Sequence, residues 1–114
     1  MDRLEQFKKY QAQTTPYPLG LDIDRAEGCW IWDKSGKKYL DLEAGVSANV
    51  IGHSNPRVVK AIKDQVDRYM HVMVYGEFIQ DAPLEYCRML STLLEPELNC
   101  VYMVNSGTEA IEAS

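Results

Sequence analysis

Asn105-Ser106-Gly107-Thr108-Glu109-Ala110 is the stretch whose residue types and spacing could do chemistry. Asn105, Ser106 and Thr108 are cap-type residues, and Gly107 permits a bend or a close approach. Glu109 to Ala113 suit a helix whose acids sit near the positive end of its dipole. Just upstream, Cys100 to Val104 is a continuous apolar run, which predicts a strand buried on both faces. A strand that turns into a helix in this way leaves backbone N–H groups pointing outward, where a phosphate can sit. The plainer alternative is an ordinary βα loop in which Ser106 or Asn105 simply caps the helix. Neither Gly-x-x-x-x-Gly-Lys-Ser/Thr nor Gly-x-Gly-x-x-Gly is present.

Composition narrows the function classes. With 46% hydrophobic and 25% charged residues, the 114-residue chain reads as a soluble globular protein large enough to bury a core. A net charge of −5 without a long basic run argues against nucleic-acid or anionic-membrane partners. No apolar stretch approaches the roughly 18 residues needed to span a bilayer, and the polar Met1 to Lys9 is no signal peptide. Cys29, Cys87 and Cys100 lack metal-type spacing and are expected to be free, buried thiols in a reducing cytoplasm.

The elements that must position the loop follow in order. Leu4, Phe7 and Tyr10 make a narrow stripe, which predicts a helix over Asp2 to Gln13. Thr14-Thr15-Pro16-Tyr17-Pro18-Leu19-Gly20 breaks it into an extended segment. Tyr17, held between two prolines, has the ordinary reading of a surface or packing residue. Leu21 to Arg25, Cys29 to Asp33 and Lys37 to Leu42 predict three short antiparallel strands, with turn chemistry at Asp33-Lys34-Ser35-Gly36. Trp30 and Trp32 share one face by the two-residue period, suited to a core or a subunit interface.

Glu43 to Asn55 reads as a loop with tight backbone approaches at Gly45 and Gly52, and His53 as a structural hydrogen-bonder. Asn55-Pro56 is a helix start. Val58, Val59, Ile62, Val66, Tyr69 and Met70 then give a clean helical stripe to about His71. Val72 to Gln80 is aromatic and irregular. Asp81 is the expected N-cap of a further helix with Leu84, Cys87, Leu90 and Leu94 on its buried face, ended by Pro96. This order suggests a small N-terminal subdomain joined to the opening βα unit of an α/β domain, the boundary falling between residues 55 and 80.

Four stretches taken together carry a resemblance: Gly28 to Asp41, Gly52-His53-Ser54-Asn55-Pro56, Val59 to Gln65, and Asn105 to Ala113. In this order and spacing they resemble the N-terminal part of class III (ornithine/acetylornithine/4-aminobutyrate-type) pyridoxal-phosphate-dependent aminotransferases, from about Tyr17 onward. The resemblance implies an α/β fold of the fold-type-I transferase class. Residues 1–55 would then be the N-terminal part of the small domain (helix plus antiparallel sheet), 56–80 a connecting helix and loop, and 81–114 the start of the large cofactor-binding domain. The implied reaction is transamination between an amino acid or amine and a 2-oxo acid, with pyridoxal 5'-phosphate as cofactor. Gly107 and Thr108 match the positions whose backbone binds the cofactor phosphate, with Ser106 beside them. Glu109 fits a structural acid at the helix start.

Tyr17 falls where family members often carry a substrate-contacting aromatic. Val46 matches a position that is aromatic in ornithine δ-aminotransferases and aliphatic in acetylornithine- and 4-aminobutyrate-type enzymes, a difference worth at most a few kcal/mol. A cytoplasmic homodimer is also implied, and Trp30, Trp32, Tyr75 and Phe78 are compatible with an interface. The lysine that would hold the cofactor covalently, the aspartate that would pair with its ring nitrogen and the stacking aromatic match nothing in this chain, so no residue here is assigned a catalytic role. The 114 residues alone are expected to be inactive. Alternatives are another reaction on the same scaffold, such as decarboxylation or aminomutase chemistry, or a non-enzymatic fragment that keeps a phosphate loop.

The helix after Ser106 has room for only about two turns, and isolated helices shorter than about a dozen residues are marginal. The chain is therefore expected to be the N-terminal portion of a longer protein. Mass spectrometry of the intact source protein should give a mass well above 13.0 kDa, and a value of 13.0 kDa would overturn the expectation.

Overall fold

The computed structural model describes residues 1–73 and 76–114. It divides into two compact units, Met1–Met70 and His71–Ser114.

The first unit opens with helix α1, Arg3–Tyr10. Asp2 and Glu5 make a reciprocal capping box: the Glu5 N–H donates to Asp2 Oδ1 at 2.8 Å, and the Asp2 N–H donates to Glu5 Oε2 at 2.9 Å. Lys8 and Lys9 in the last turn suit the negative end of the dipole. The Arg3 guanidinium forks onto the Asp22 carboxylate, with Nη2 to Oδ1 at 2.9 Å, which fixes the helix start beside the chain entering the sheet.

Strands β1 (Ile23–Glu27), β2 (Trp30–Asp33) and β3 (Lys38–Leu40) form an antiparallel sheet in sequential order. Arg25 pairs with Trp32 and Trp32 with Lys38 across the three strands, and an irregularity between Ile23 and Arg25 shifts the register of the first pair. Trp30 and Trp32 share one face, as the alternation requires. The Arg25 guanidinium lies 3.7 Å from the Trp32 ring centre, and Lys38 Nζ lies 3.8 Å from that of Trp30. The cations cover these rings, so each tryptophan is half-buried rather than part of a closed core.

The β2–β3 turn is organised by one carboxylate. Asp33 Oδ1 accepts from the backbone N–H groups of Ser35 (2.9 Å) and Lys37 (3.0 Å) and from the Ser35 hydroxyl (2.6 Å). Asp33 Oδ2 accepts from the Tyr39 hydroxyl at 2.7 Å. Gly36 takes φ +85°, the left-handed conformation that closes such a turn without a Cβ clash.

Beyond the sheet, Ala44–Ser47 forms a four-residue helical turn, α2, where a loop is expected from sequence. Helix α3, Pro56–Arg68, starts as Asn55-Pro56 predicts: Asn55 Oδ1 accepts from the Arg57 N–H at 3.1 Å. Its Val58, Ile62 and Val66 line an open apolar groove of about 740 Å³ with Ile51, Tyr69 and Met70.

In the second unit, helix α4 spans Asp81–Ser91. Gln80, not Asp81, occupies the N-cap, and no side chain caps there. The helix also ends before Pro96, because the Ser91 and Thr92 hydroxyls donate to the carbonyls of Arg88 (2.9 Å) and Met89 (2.7 Å) and turn the chain. Helix α5, Gly107–Glu112, closes the unit.

Three further expectations are corrected. Cys100 to Val104 has no regular secondary structure and joins no sheet among the described residues, because an apolar run becomes a strand only where a neighbouring strand completes its hydrogen bonds. No side chain among the described residues is fully buried, and these residues enclose no core. Strands of five, four and three residues offer too little surface, and among the described residues no helix packs broadly on the sheet or on another helix. The three cysteines are free, but Cys29 and Cys100 are exposed rather than buried. The irregular segment Val72 to Gln80 includes Val74 and Tyr75, so the interface expectation for Tyr75 lies outside the described residues.

The Asp33 carboxyl is held down to about 2, first by the Ser35 hydroxyl and then by that of Tyr39. Its pKa is lower folded than unfolded, so its contribution to the turn is complete above about pH 4 and is lost as the pH falls toward 2. A carbon-detected NMR titration of the Asp33 carboxyl should show a midpoint near 2. A midpoint at the ordinary aspartate value, about 3.9, would mean that the turn is not built around this group.

Candidate functional site

The phosphate-type loop lies in the second unit. Ser106 is the N-cap of α5, with extended backbone at φ −147° and ψ 158°, and its Oγ accepts from the Glu109 N–H at 3.2 Å. The Ala110 N–H donates to the Ser106 carbonyl at 3.1 Å. Glu109 reaches back, its Oε2 accepting from the Asn105 N–H at 2.8 Å. These bonds leave two backbone donors of the first turn, the N–H groups of Gly107 and Thr108, without an acceptor among the described residues. Gly107 and Thr108 are exposed, and a Cβ built on Gly107 would meet nothing within 4 Å. The loop thus offers two adjacent N–H groups on exposed residues, with the Ser106 O–H still available to donate. A phosphate oxygen is the acceptor that such a donor set fits. Lying in one turn, Ser106, Gly107 and Thr108 are necessarily brought together.

Tyr17 and Val46 belong to the first unit, and both are exposed, at 86% and 83%. Neither lines the α3 groove or the smaller cleft between α1 and Gly20–Asp22. The Tyr17 N–H donates to Thr15 Oγ1 at 3.2 Å, which shapes the Pro16–Pro18 segment locally. Val46 stands in α2, whose residues Ala44, Gly45, Val46 and Ser47 all have positive φ, at 52°, 60°, 56° and 65°. This is one turn of left-handed helix, a rare conformation for a β-branched side chain.

Beside that turn stands a pair that sequence reasoning resolved only in half. His53, expected as a hydrogen-bonding residue, places Nε2 at 2.6 Å from Asp41 Oδ2. The same carboxylate accepts through Oδ1 from the N–H groups of Glu43 and Ala44, both at 2.9 Å. The His53 bond, then the Ala44 and Glu43 amides, hold the Asp41 carboxyl below the usual range. An ionised Asp41 makes His53 Nε2 the donor. The sequence reads Lys37 to Leu42 only as an alternating strand, and alternation cannot name for Asp41 a partner twelve residues away. No group of three or more metal-ligating side chains exists among the described residues, and no helix there is long and apolar enough to cross a membrane.

Replacing Ser106 with alanine removes the α5 cap, a loss of about 1 kcal/mol for an N-cap hydroxyl. Amide exchange at Glu109 should speed up about fivefold in Ser106→Ala, whereas Ser106→Asp should keep it near wild type. Equal exchange in all three proteins would show that the cap does not hold the loop.

Comparison with known proteins places this geometry in a family. The family described as aminotransferase class-III matches residues 10–114. The acetylornithine aminotransferase of Methanopyrus kandleri is 37% identical over 115 residues, covering 100% of this chain and 28% of the relative. That of Clostridium acetobutylicum is 42% identical over 95 residues, 83% of this chain and 24% of the relative. The crystal structure of acetylornithine aminotransferase from Elizabethkingia anophelis superposes with a TM-score of 0.80 at 34% identity, over 96% of this chain and 27% of that one. The chain spans about a quarter of the length of the relatives it matches. With the family match running from before the sheet to the last residue, the chain belongs to the class III aminotransferases.

Proposed function

We propose that the native protein carrying this chain transfers an amino group from an amino acid or amine to a 2-oxo acid, with pyridoxal 5'-phosphate as cofactor. The observation that carries the reading is the family match over residues 10–114, which includes the loop with two free N–H donors. In this reading Gly107 and Thr108 donate their backbone N–H groups to the cofactor phosphate, and the Ser106 hydroxyl adds a third donor. The cofactor, when bound, supplies the electron sink for the carbon that bears the amino group. Glu109 binds no ligand; it steadies the loop from inside through Asn105. The group that holds the cofactor covalently and the partner of its ring nitrogen lie outside these residues.

Tyr17 and Val46 form part of the wall that the amino donor meets. An aliphatic Val46 leaves room that an aromatic residue would fill, which favours an acetylornithine- or 4-aminobutyrate-type donor over ornithine δ-transamination. Residues 1–55 serve as the opening of the small domain, 56–80 as the connector and 81–114 as the start of the large domain. The active protein is a cytoplasmic homodimer in this reading, as the resemblance to the class implies.

The purified native protein should show a visible cofactor absorbance that borohydride abolishes, together with amino transfer that requires a 2-oxo acid. Thr108→Pro, which deletes one proposed donor, should weaken cofactor retention at least about tenfold. A native protein with neither absorbance nor transfer would overturn the reading.

A further inference from the structure

We propose that Asp41 and His53 form a positioning pair: together they hold the left-handed turn that presents Val46 and so set donor selectivity without touching the donor. This rests on the aminotransferase reading above and on the placement of Val46 in the donor wall.

Three of the four residues of α2 are not glycine, and one is β-branched, yet all four have φ between 52° and 65°. L-residues do not keep such a run unless their surroundings over-determine it. Inside the turn, the Asn49 N–H donates to the Ala44 carbonyl at 2.8 Å and the Ser47 N–H to that of Glu43 at 3.2 Å. Those bonds close the turn but do not fix where it stands.

Its position comes from the two ends of the segment. At the entrance, the Asp41 N–H donates to the Cys29 carbonyl at 2.8 Å, beside β2. At the exit, His53 exchanges both backbone hydrogen bonds with Gly28, at 2.8 and 3.0 Å. The fit there is close, since a Cβ on Gly52 would meet the Gly28 carbonyl oxygen at 3.1 Å. The Asp41 carboxylate then joins both ends to the turn, bonding His53 with one oxygen and the Glu43 and Ala44 amides with the other. The two side chains are only 9% and 19% exposed, whereas Val46 points into solvent. A well-shielded polar clamp therefore carries an exposed apolar tip in a conformation the tip would not choose by itself.

The test uses the native protein and two amino donors that differ in side-chain length. His53→Ala should change the ratio of their kcat/KM values about three- to tenfold, mostly through KM, and His53→Gln, which keeps an N–H donor, should restore most of it. Amide exchange at Glu43 and Ala44 should accelerate about tenfold in His53→Ala, while the Ile31–Tyr39 ladder stays as in wild type. A merely structural role would lower the yield of active protein or the rate for both donors alike, leaving their ratio unchanged. If His53→Ala does not accumulate, Asp41→Asn reads the same two quantities. Amino transfer by the wild type, with the donor ratio and both exchange rates unchanged in the variants, overturns the positioning pair alone. A wild type that transfers no amino group overturns the functional reading and the selectivity claim with it.

Discussion

A single carboxylate, that of Asp41, links the sheet of the first unit to the segment that follows. Its backbone is tied beside β2, one oxygen receives His53, and the other receives the first two amides of the path into α2. The left-handed turn beyond it runs against the intrinsic preference of Ala44, Val46 and Ser47, at roughly 1–2 kcal/mol for each non-glycine residue. A backbone under that load persists only where several independent bonds agree on it. The Asp41 oxygens and the Gly28–His53 bridge provide that agreement from two directions.

Polar, local devices of this sort do most of the organising throughout the chain. The Asp2–Glu5 box starts α1, Asp33 folds the β2–β3 turn, Asn55 starts α3 and Ser106 starts α5. Cations cover the two tryptophans where a hydrophobic layer would otherwise be needed. Burial of apolar surface, the dominant favourable term in most domains, is largely unrealised within these residues. Ile62 and Val66 on the α3 stripe remain 58% and 50% exposed. The elements are thus well specified one by one, and their apolar faces await covering surface.

The Asn105–Ala110 loop shows the same division between local and non-local causes. Its donor geometry needs nothing beyond Asn105 to Ala110, because cap, back-bond and free amides all arise within one turn. The strand expected to deliver that loop needs neighbours, and without them Cys100 to Val104 joins no sheet among the described residues. Tyr17 and Val46 stand between these cases. Chain direction fixes where each emerges, and neither lines the α3 groove or the cleft beside α1.

The sequence by itself determined whatever depends on neighbours within a turn or two. That covers the three β-formers with their Asp-Lys-Ser-Gly turn, the Asn55-Pro56 start, the period of the α3 stripe and the cap of α5. Motif order added the family, because four weak stretches at fixed spacing are jointly specific. Tertiary structure alone decided which carboxylate meets His53, why Gly28 and Gly52 must approach, and that Glu43 to Asn55 contains a left-handed turn rather than a plain loop. It also decided which apolar residues are covered. The physical reason is common to all of these: periodicity and capping chemistry act along the chain, whereas a partner twelve residues away, a positive φ at valine and a buried face exist only once the chain has folded back on itself.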